Sequence, residues 1–246
     1  MRYLILSDIH ANLQALEAVL AASPPWDRLL VLGDLVGYGA QPNEIVDRVR
    51  TLAPHAIVRG NHDKVAAGLE GSDSFNPAAQ RAALWTQSIL TEENASYLRA
   101  LPMGPMTVDD RMEVCHGSPV DEDAYIFGEG DVAEALVRAR RPLCFFGHTH
   151  YPAAVALTPE GELDMLRQGG GDHPPVRVER GERLLLNPGA VGQPRDGDPR
   201  AAFAVLDTDS GEVRLTRVSY PVQEAHDRII EAGLPRVLAQ RLLVGR

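Results

Sequence analysis

Apolar residues in the first 150 positions come in short unbroken runs, and five of these runs stop at a cluster of Asp, Asn or His. Tyr3 to Leu6 leads to Asp8-Ile9-His10, and Leu29 to Leu32 to Gly33-Asp34. Ala56 to Arg59 leads to Gly60-Asn61-His62-Asp63, Met112 to Cys115 to His116, and Leu143 to Phe146 to Gly147-His148-Thr149-His150. Runs this short, bounded by turn residues and followed by longer mixed segments, predict buried strands of a parallel sheet whose exposed ends carry the polar groups. Helical periodicity fills the gaps. Asn12 is placed to cap a helix with Leu13, Leu16, Val19 and Leu20 inward, and Pro42-Asn43 opens a second through about Arg50. From Lys64 to Leu101 the pattern is helical, clearest over Gln80 to Leu90 and Glu92 to Leu101, with Thr91 as an N-cap. Phe75, Trp85 and Tyr97 in this insert are expected to pack its helices onto the sheet rather than to form a substrate platform.

A hairpin, Met106 to Val108 with Met112 to Cys115, turns at Asp109-Asp110, and a helix is expected over Asp131 to Arg140. Beyond residue 150 the alternation is strand after strand: Ala153 to Leu157, Leu163 to Leu166, Arg183 to Leu186, Ala202 to Leu206 and Val213 to Val218. These read mostly as an antiparallel meander, with Gln168 to Pro175 as a loop. Helices near Val222 to Ala232 and Arg236 to Val244 end the sequence. Strand–helix alternation followed by consecutive strands implies an α/β chain of two packed sheets flanked by helices. The expected organisation is one domain over 1–246, with a helical insert at about 64–101 and a C-terminal helical segment at about 222–244.

Composition narrows the function. A net charge of -10 argues against a protein that grips a nucleic-acid duplex by its phosphates and suits one that holds cations. Cys115 and Cys144 lie inside apolar strands and read as core residues of a reducing compartment. With no basic-then-apolar leader and no run of membrane-spanning length, a soluble cytoplasmic protein is expected, without a membrane partner.

Taken singly, a core His is satisfied by hydrogen bonds and an Asp before a helix is a cap. Recurrence changes the balance. His10, His62, His116, His148 and His150, with Asp8, Asp34 and Asn61, all fall at strand ends, and such groups are costly to bury without partners. Asp8 and His10 stand two apart on an extended segment and can face one ion. His55 precedes its strand, at the opposite end, and is left out. Oxygen and imidazole donors without thiolate suit manganese, iron, zinc or nickel and do not choose among them, and two divalent ions are expected rather than one.

Five motifs in this order and spacing resemble the calcineurin-like metallophosphoesterase superfamily: Asp8-Ile9-His10, Gly33-Asp34, Gly60-Asn61-His62-Asp63, His116 and Gly147-His148-Thr149-His150. The resemblance implies a four-layer α/β/β/α sandwich. It assigns Asp8, His10, Asp34 and His150 to one ion and Asp34, Asn61, His116 and His148 to the other, with Asp34 bridging. It also implies attack on phosphorus by a metal-bridging hydroxide, with His62 as general acid and Asp63 supporting the loop. Gly37 and Tyr38 stand where protein phosphatases of the superfamily carry Asp and Arg, so protein phosphatase activity is not expected and the partner that orients His62 is open. Gly37-Tyr38-Gly39 and the segment Leu186 to Gly197 resemble the bacterial phosphodiesterase branch, which points to small phosphodiesters as substrates. Arg195 and Arg59 are the candidate substrate-contacting cations, with an Arg195–Asp196 pair as the alternative for the first. A non-catalytic scaffold on the same fold is the competing function.

Overall fold

The computed structural model describes residues 1–169, 174–178 and 181–246, so positions 170–173 of the expected loop lie outside the described residues. In the first part β1 (Arg2–Leu6), α1 (Leu13–Ala22), β2 (Arg28–Val31), α2 (Pro42–Leu52) and β3 (Ala56–Ile57) alternate, and the three strands pair in parallel. The apolar runs explain this pairing. Leu4 and Leu6 of β1 pack with Leu16, Val19, Ile45 and Val49 of the two helices, while Tyr3 and Ile5 pack toward a second sheet. A strand covered on both faces must be apolar at every position.

The Gly-Asn-His-Asp motif is more helical than expected: α3 (Asn61–Ala66) starts at Asn61 itself. Asp63 is the cause, because its carboxylate turns back to accept the Gly60 N–H at 3.0 Å and also takes the Val36 N–H at 3.2 Å. α4 (Pro77–Ile89) and α5 (Glu92–Ala100) follow, each with a side-chain N-cap, Asn76 and Thr91. Then come β4 (Met106–Val108), β5 (Met112–Val114), α6 (Glu129–Arg138) and β6 (Leu143–Phe145).

The meander expected after residue 150 is corrected. β7 (Ala153–Leu157), β8 (Leu163–Gln168), β9 (Val176–Arg177), β10 (Arg183–Asn187), β11 (Ala201–Asp207) and β12 (Glu212–Val218) divide between two sheets. One sheet runs β3-β2-β1-β11-β12-β9, and the other β4-β5-β6-β10-β7-β8. β10 lies parallel to β6 and antiparallel to β7, while β11 pairs antiparallel with β1 in the other sheet. Leu184, Leu185 and Leu186 are all buried, so β10 needs cover on both faces and takes an interior place.

The core between the sheets includes Ile5, Leu30, Val114, Phe145, Leu186 and Ala204, and α6 covers the outer face of the second sheet through Val132, Ala135 and Leu136. Helix, sheet, sheet and helix are therefore stacked as the resemblance implies. α7 (Val222–Glu231) and α8 (Arg236–Val244) pack with α4 around Tyr38, on the side of the motif-bearing strand ends. Among the described residues no helix is long and apolar enough to cross a membrane.

Candidate metal centre

The C-terminal ends of β1, β2, β5 and β6 and the first turn of α3 converge on one edge of the sandwich. Ligand atoms of Asp8, His10, Asp34 and His150 lie within 4.8 Å of one another, and so do those of Asp34, His116 and His148. Asp34 belongs to both groups. Asn61 joins the second, its Oδ1 standing 3.2 Å from His116 Nε2. Apart from Asn61, each of these side chains is buried.

Backbone carbonyls fix the histidine rings. His10 Nδ1 lies 3.0 Å from the Val36 carbonyl, His116 Nδ1 2.8 Å from that of Leu32, and His150 Nδ1 2.6 Å from that of Gln193. A carbonyl only accepts, so each Nδ1 carries a proton and donates it, which leaves Nε2 of a neutral ring as a bare lone pair. His10 Nε2 and His150 Nε2 are 3.2 Å apart. Burial, with the Arg195 charge against both, holds both rings well below the ordinary imidazole range, so no proton sits between the nitrogens. Two buried lone pairs at that distance repel unless a cation lies between them, and this donor set fits a divalent metal ion.

The second cluster differs in one ring, His116. His116 Nε2 and His148 Nδ1 are 3.1 Å apart. Burial disfavours the His116 charge, but Asp34 and Asp8 outweigh it and raise this ring to about 10, while burial and His116 push His148 down to about 3. Burial also opposes ionisation of Asp34, yet His116, His62 and His10 together keep it well below the carboxylate range. Asp8 is pushed up to about 6 by burial and by Asp34.

The backbone is bent to aim these groups. Asp8, His10, Asp34, His148 and His150 all have positive φ, between 47° and 65°. Left-handed backbone costs a non-glycine residue on the order of 1 kcal/mol or more, and its concentration in five candidate ligands marks a site that the rest of the fold holds in place. Gly60 is needed for close approach, since a Cβ there would fall 2.1 Å from Asp34 Oδ1.

His62 stands beside the clusters. Its backbone N–H donates to Asp34 Oδ1 at 2.9 Å, and its ring is clamped between Tyr38 and Phe75, with centroids 4.3 and 4.5 Å away. Its Nδ1 is buried without a hydrogen-bond partner, and burial lowers the ring to about 4 against the pull of Asp34. Aromatic contacts, with Gly37 packed against the ring edge, orient it where no carboxylate among the described residues bonds its Nδ1.

Residues 1–211 match the model of the calcineurin-like phosphoesterase superfamily domain. The chain belongs to that superfamily. A crystal structure of a metallophosphoesterase from Sphaerobacter thermophilus is 41% identical with a TM-score of 0.87, covering 100% of this chain and 99% of that one. An uncharacterized protein of Methanocaldococcus jannaschii is 33% identical over 98% of this chain and 97% of its own length. The phosphodiesterase YfcE of Escherichia coli is 25% identical over 85% of this chain and 89% of its own, in keeping with the phosphodiesterase-like branch. The matched domain ends before α7 and α8, the helices that pack behind Tyr38.

Asp34, Asn61, His62, His148 and His150 open into a polar cleft of about 100 Å³, which Tyr38, Phe75, Tyr125 and Arg195 also line. Arg195 lies 5.5 Å from the Tyr38 ring and donates to Gln193 Oε1 at 3.1 Å, and its Nε has no partner. Asp196 is not its counter-ion, because that carboxylate pairs with Arg217. Arg59 is placed elsewhere: its guanidinium makes a two-pronged contact with Glu122, at 3.0 and 2.8 Å, and does not line the cleft. Phe75 both packs with α4 and walls the cleft, while Trp85 and Tyr97 serve the helical cores. Tyr38 as a wall of the site and Tyr125, which stacks on His148 at 3.9 Å, had no periodic signal to reveal them.

Proposed function

We propose that this protein is a dinuclear-metal-dependent hydrolase of small phosphodiesters, with His62 as the general acid. The observation that carries the reading is the facing pair of buried nitrogens, His10 Nε2 and His150 Nε2, 3.2 Å apart beside an Asp34 carboxylate common to two ligand groups. Asp8, His10, Asp34 and His150 would hold one ion, and Asp34, Asn61, His116 and His148 the other. When bound, the ions supply Lewis-acid charge to the phosphoryl oxygens and activate water near neutral pH.

The chain's own groups do the remaining work. Arg195, at the cleft wall, receives a non-bridging phosphate oxygen, and Arg59 has no such role because Glu122 occupies its fork. His62 lies between the ligand groups and the Tyr38–Phe75 wall, and it donates a proton to the departing ester oxygen. The arriving anion favours the imidazolium, which offsets the burial that otherwise keeps His62 neutral. Likeness to a named phosphodiesterase favours diesters over monoesters. The two free thiols, Cys115 and Cys144, 4.0 Å apart and unbonded, suit a reducing cytoplasm.

The test is hydrolysis of bis(p-nitrophenyl) phosphate by chelator-stripped protein after addition of manganese, iron, nickel or zinc. Turnover is expected with at least one of these ions and none before addition. No turnover with any of them, in protein that nonetheless binds them, would favour the scaffold reading.

A further inference from the structure

The C-terminal helices, packed behind Tyr38, bring a second cation up to Arg195. Arg241 of α8 is half-buried, and its Nη1 lies 3.4 Å from Gln193 Oε1. Arg195 Nη2 donates to the same oxygen at 3.1 Å. Two guanidinium groups therefore share one neutral acceptor. Among the described residues neither has a carboxylate partner, and Asp196, beside Arg195 in the chain, is taken by Arg217. Adjacent cations without a counter-ion repel, and burial strengthens the repulsion, so the pair is costly unless it serves an anion. The cleft is where that anion arrives. Arg195 reaches it between two rings, hydrogen-bonded to the hydroxyls of Tyr38 and Tyr125 on the cleft walls.

Gln193 is the joint between the two arginines. It is 1% exposed, and among the described residues its Nε2 has no partner, so the two arginines alone aim its amide. We propose that Arg241 is a positioning residue for Arg195: by sharing Gln193 Oε1 it fixes that amide, and its charge keeps the Arg195 guanidinium forward in the cleft, where it meets the phosphate. This rests on the phosphate role given to Arg195 above. Arg241 neither lines the cleft nor belongs to a ligand group, so it acts through Arg195 and not on substrate. It also lies beyond residue 211, where the matched family domain ends, so α8 adds to the site a part that the five motifs do not contain. The Gln193 carbonyl holds the His150 ring as well, and metal content separates that route from this one.

The experiment is a double-mutant cycle on manganese-loaded, desalted protein, read by calorimetric titration with inorganic phosphate and by kcat/KM for bis(p-nitrophenyl) phosphate. Arg241→Met keeps the apolar stem and removes the cation. It should raise the phosphate dissociation constant about tenfold and lower kcat/KM by a like factor, with bound metal unchanged. Arg241→Lys, which keeps a charge and donors, should stay within about threefold of the wild type. In an Arg195→Ala background, Arg241→Met should change either quantity less than about twofold, because the group it acts through is gone. An effect of equal size with and without Arg195, loss of metal, or an Arg241→Lys protein as weak as Arg241→Met would overturn the proposal. Wild-type phosphate binding by Arg241→Met would overturn it too. If Arg195→Ala alone behaves as the wild type, the phosphate role of Arg195 falls, and this one with it. Metal-loaded wild type that turns over no ester would defeat the hydrolase reading by itself, since the phosphate titrations still decide for Arg241.

Discussion

Ring tautomers carry the chemistry at the scale of single residues. Two histidines, His10 and His150, spend their Nδ1 protons on the carbonyls of Val36 and Gln193, and so present Nε2 lone pairs to a common space. His62 has no such tether, which separates its role from theirs. Replacing His62 by Ala should therefore leave metal content unchanged while slowing hydrolysis by about 10²- to 10⁴-fold. The loss should be larger for an ester with a poor leaving group, such as an alkoxide, than for p-nitrophenolate, which departs without a proton. Equal losses on both leaving groups, read from kcat, would contradict proton donation. Gly37 supplies a second test at this scale. A Cβ there would lie 2.3 Å from His62 Nδ1, on a backbone with φ of 86°. Gly37→Ala should then displace His62 and lower kcat at least about tenfold with both ions still bound, a result to be read from kinetics and metal analysis together.

Among the elements, α3 is the piece that must be held most firmly, because its first turn carries Asn61 and His62. It is anchored from below by Lys64, 2% exposed, whose ammonium reaches Glu70 at 2.9 Å, Glu122 at 3.2 Å and Asp123. Glu122 also takes the Arg59 fork, so one carboxylate ties the loop after β5 to both ends of the Gly-Asn-His-Asp turn. Burial alone would raise the Glu122 carboxyl, but Arg59 and Lys64 outweigh it and hold it below the usual range. A group whose folded pKa is depressed contributes stability above its unfolded value, about 4.3, and that contribution disappears as pH falls through the folded value. Urea unfolding of Glu122→Gln should show a loss of about 2 kcal/mol near neutral pH, shrinking in acid as the wild-type carboxyl protonates. An unchanged midpoint at pH 7 would mean that Lys64 is satisfied without it. Elements were also where the sequence was least legible. β10 reads as one more short strand, and nothing in Arg183 to Asn187 names β6 as its parallel neighbour; only its unbroken apolar character marks an interior strand. β9, with two described residues, is too short to carry a period at all.

For the whole molecule, the legible part is the ligand set, because metal donors must be specific residue types and the strands that carry them are short and strongly apolar. What the sequence does not carry is the set of partners chosen by the fold. The Gln193 carbonyl behind His150, the aromatic clamp on His62 and the engagement of Arg59 by Glu122 are all long-range contacts with no local signature. The two facing nitrogens of His10 and His150 repel each other, and a cation between them offsets that repulsion. Saturating manganese at about 100 times its dissociation constant should stabilise the protein by about 2.7 kcal/mol per ion, which for two ions raises Tm by roughly 10 to 20 °C, and a chelator should reverse this. A Tm indifferent to both would place the ions away from the folded core.

The central claim is that two divalent ions share Asp34. Elemental analysis of protein equilibrated with manganese and then desalted, wild type beside Asp34→Asn and His148→Ala, tests it directly. The account predicts two ions per chain in the wild type, one in His148→Ala, and a loss reaching both positions in Asp34→Asn. One ion or none in the wild type, or an Asp34→Asn protein that keeps both, would contradict it.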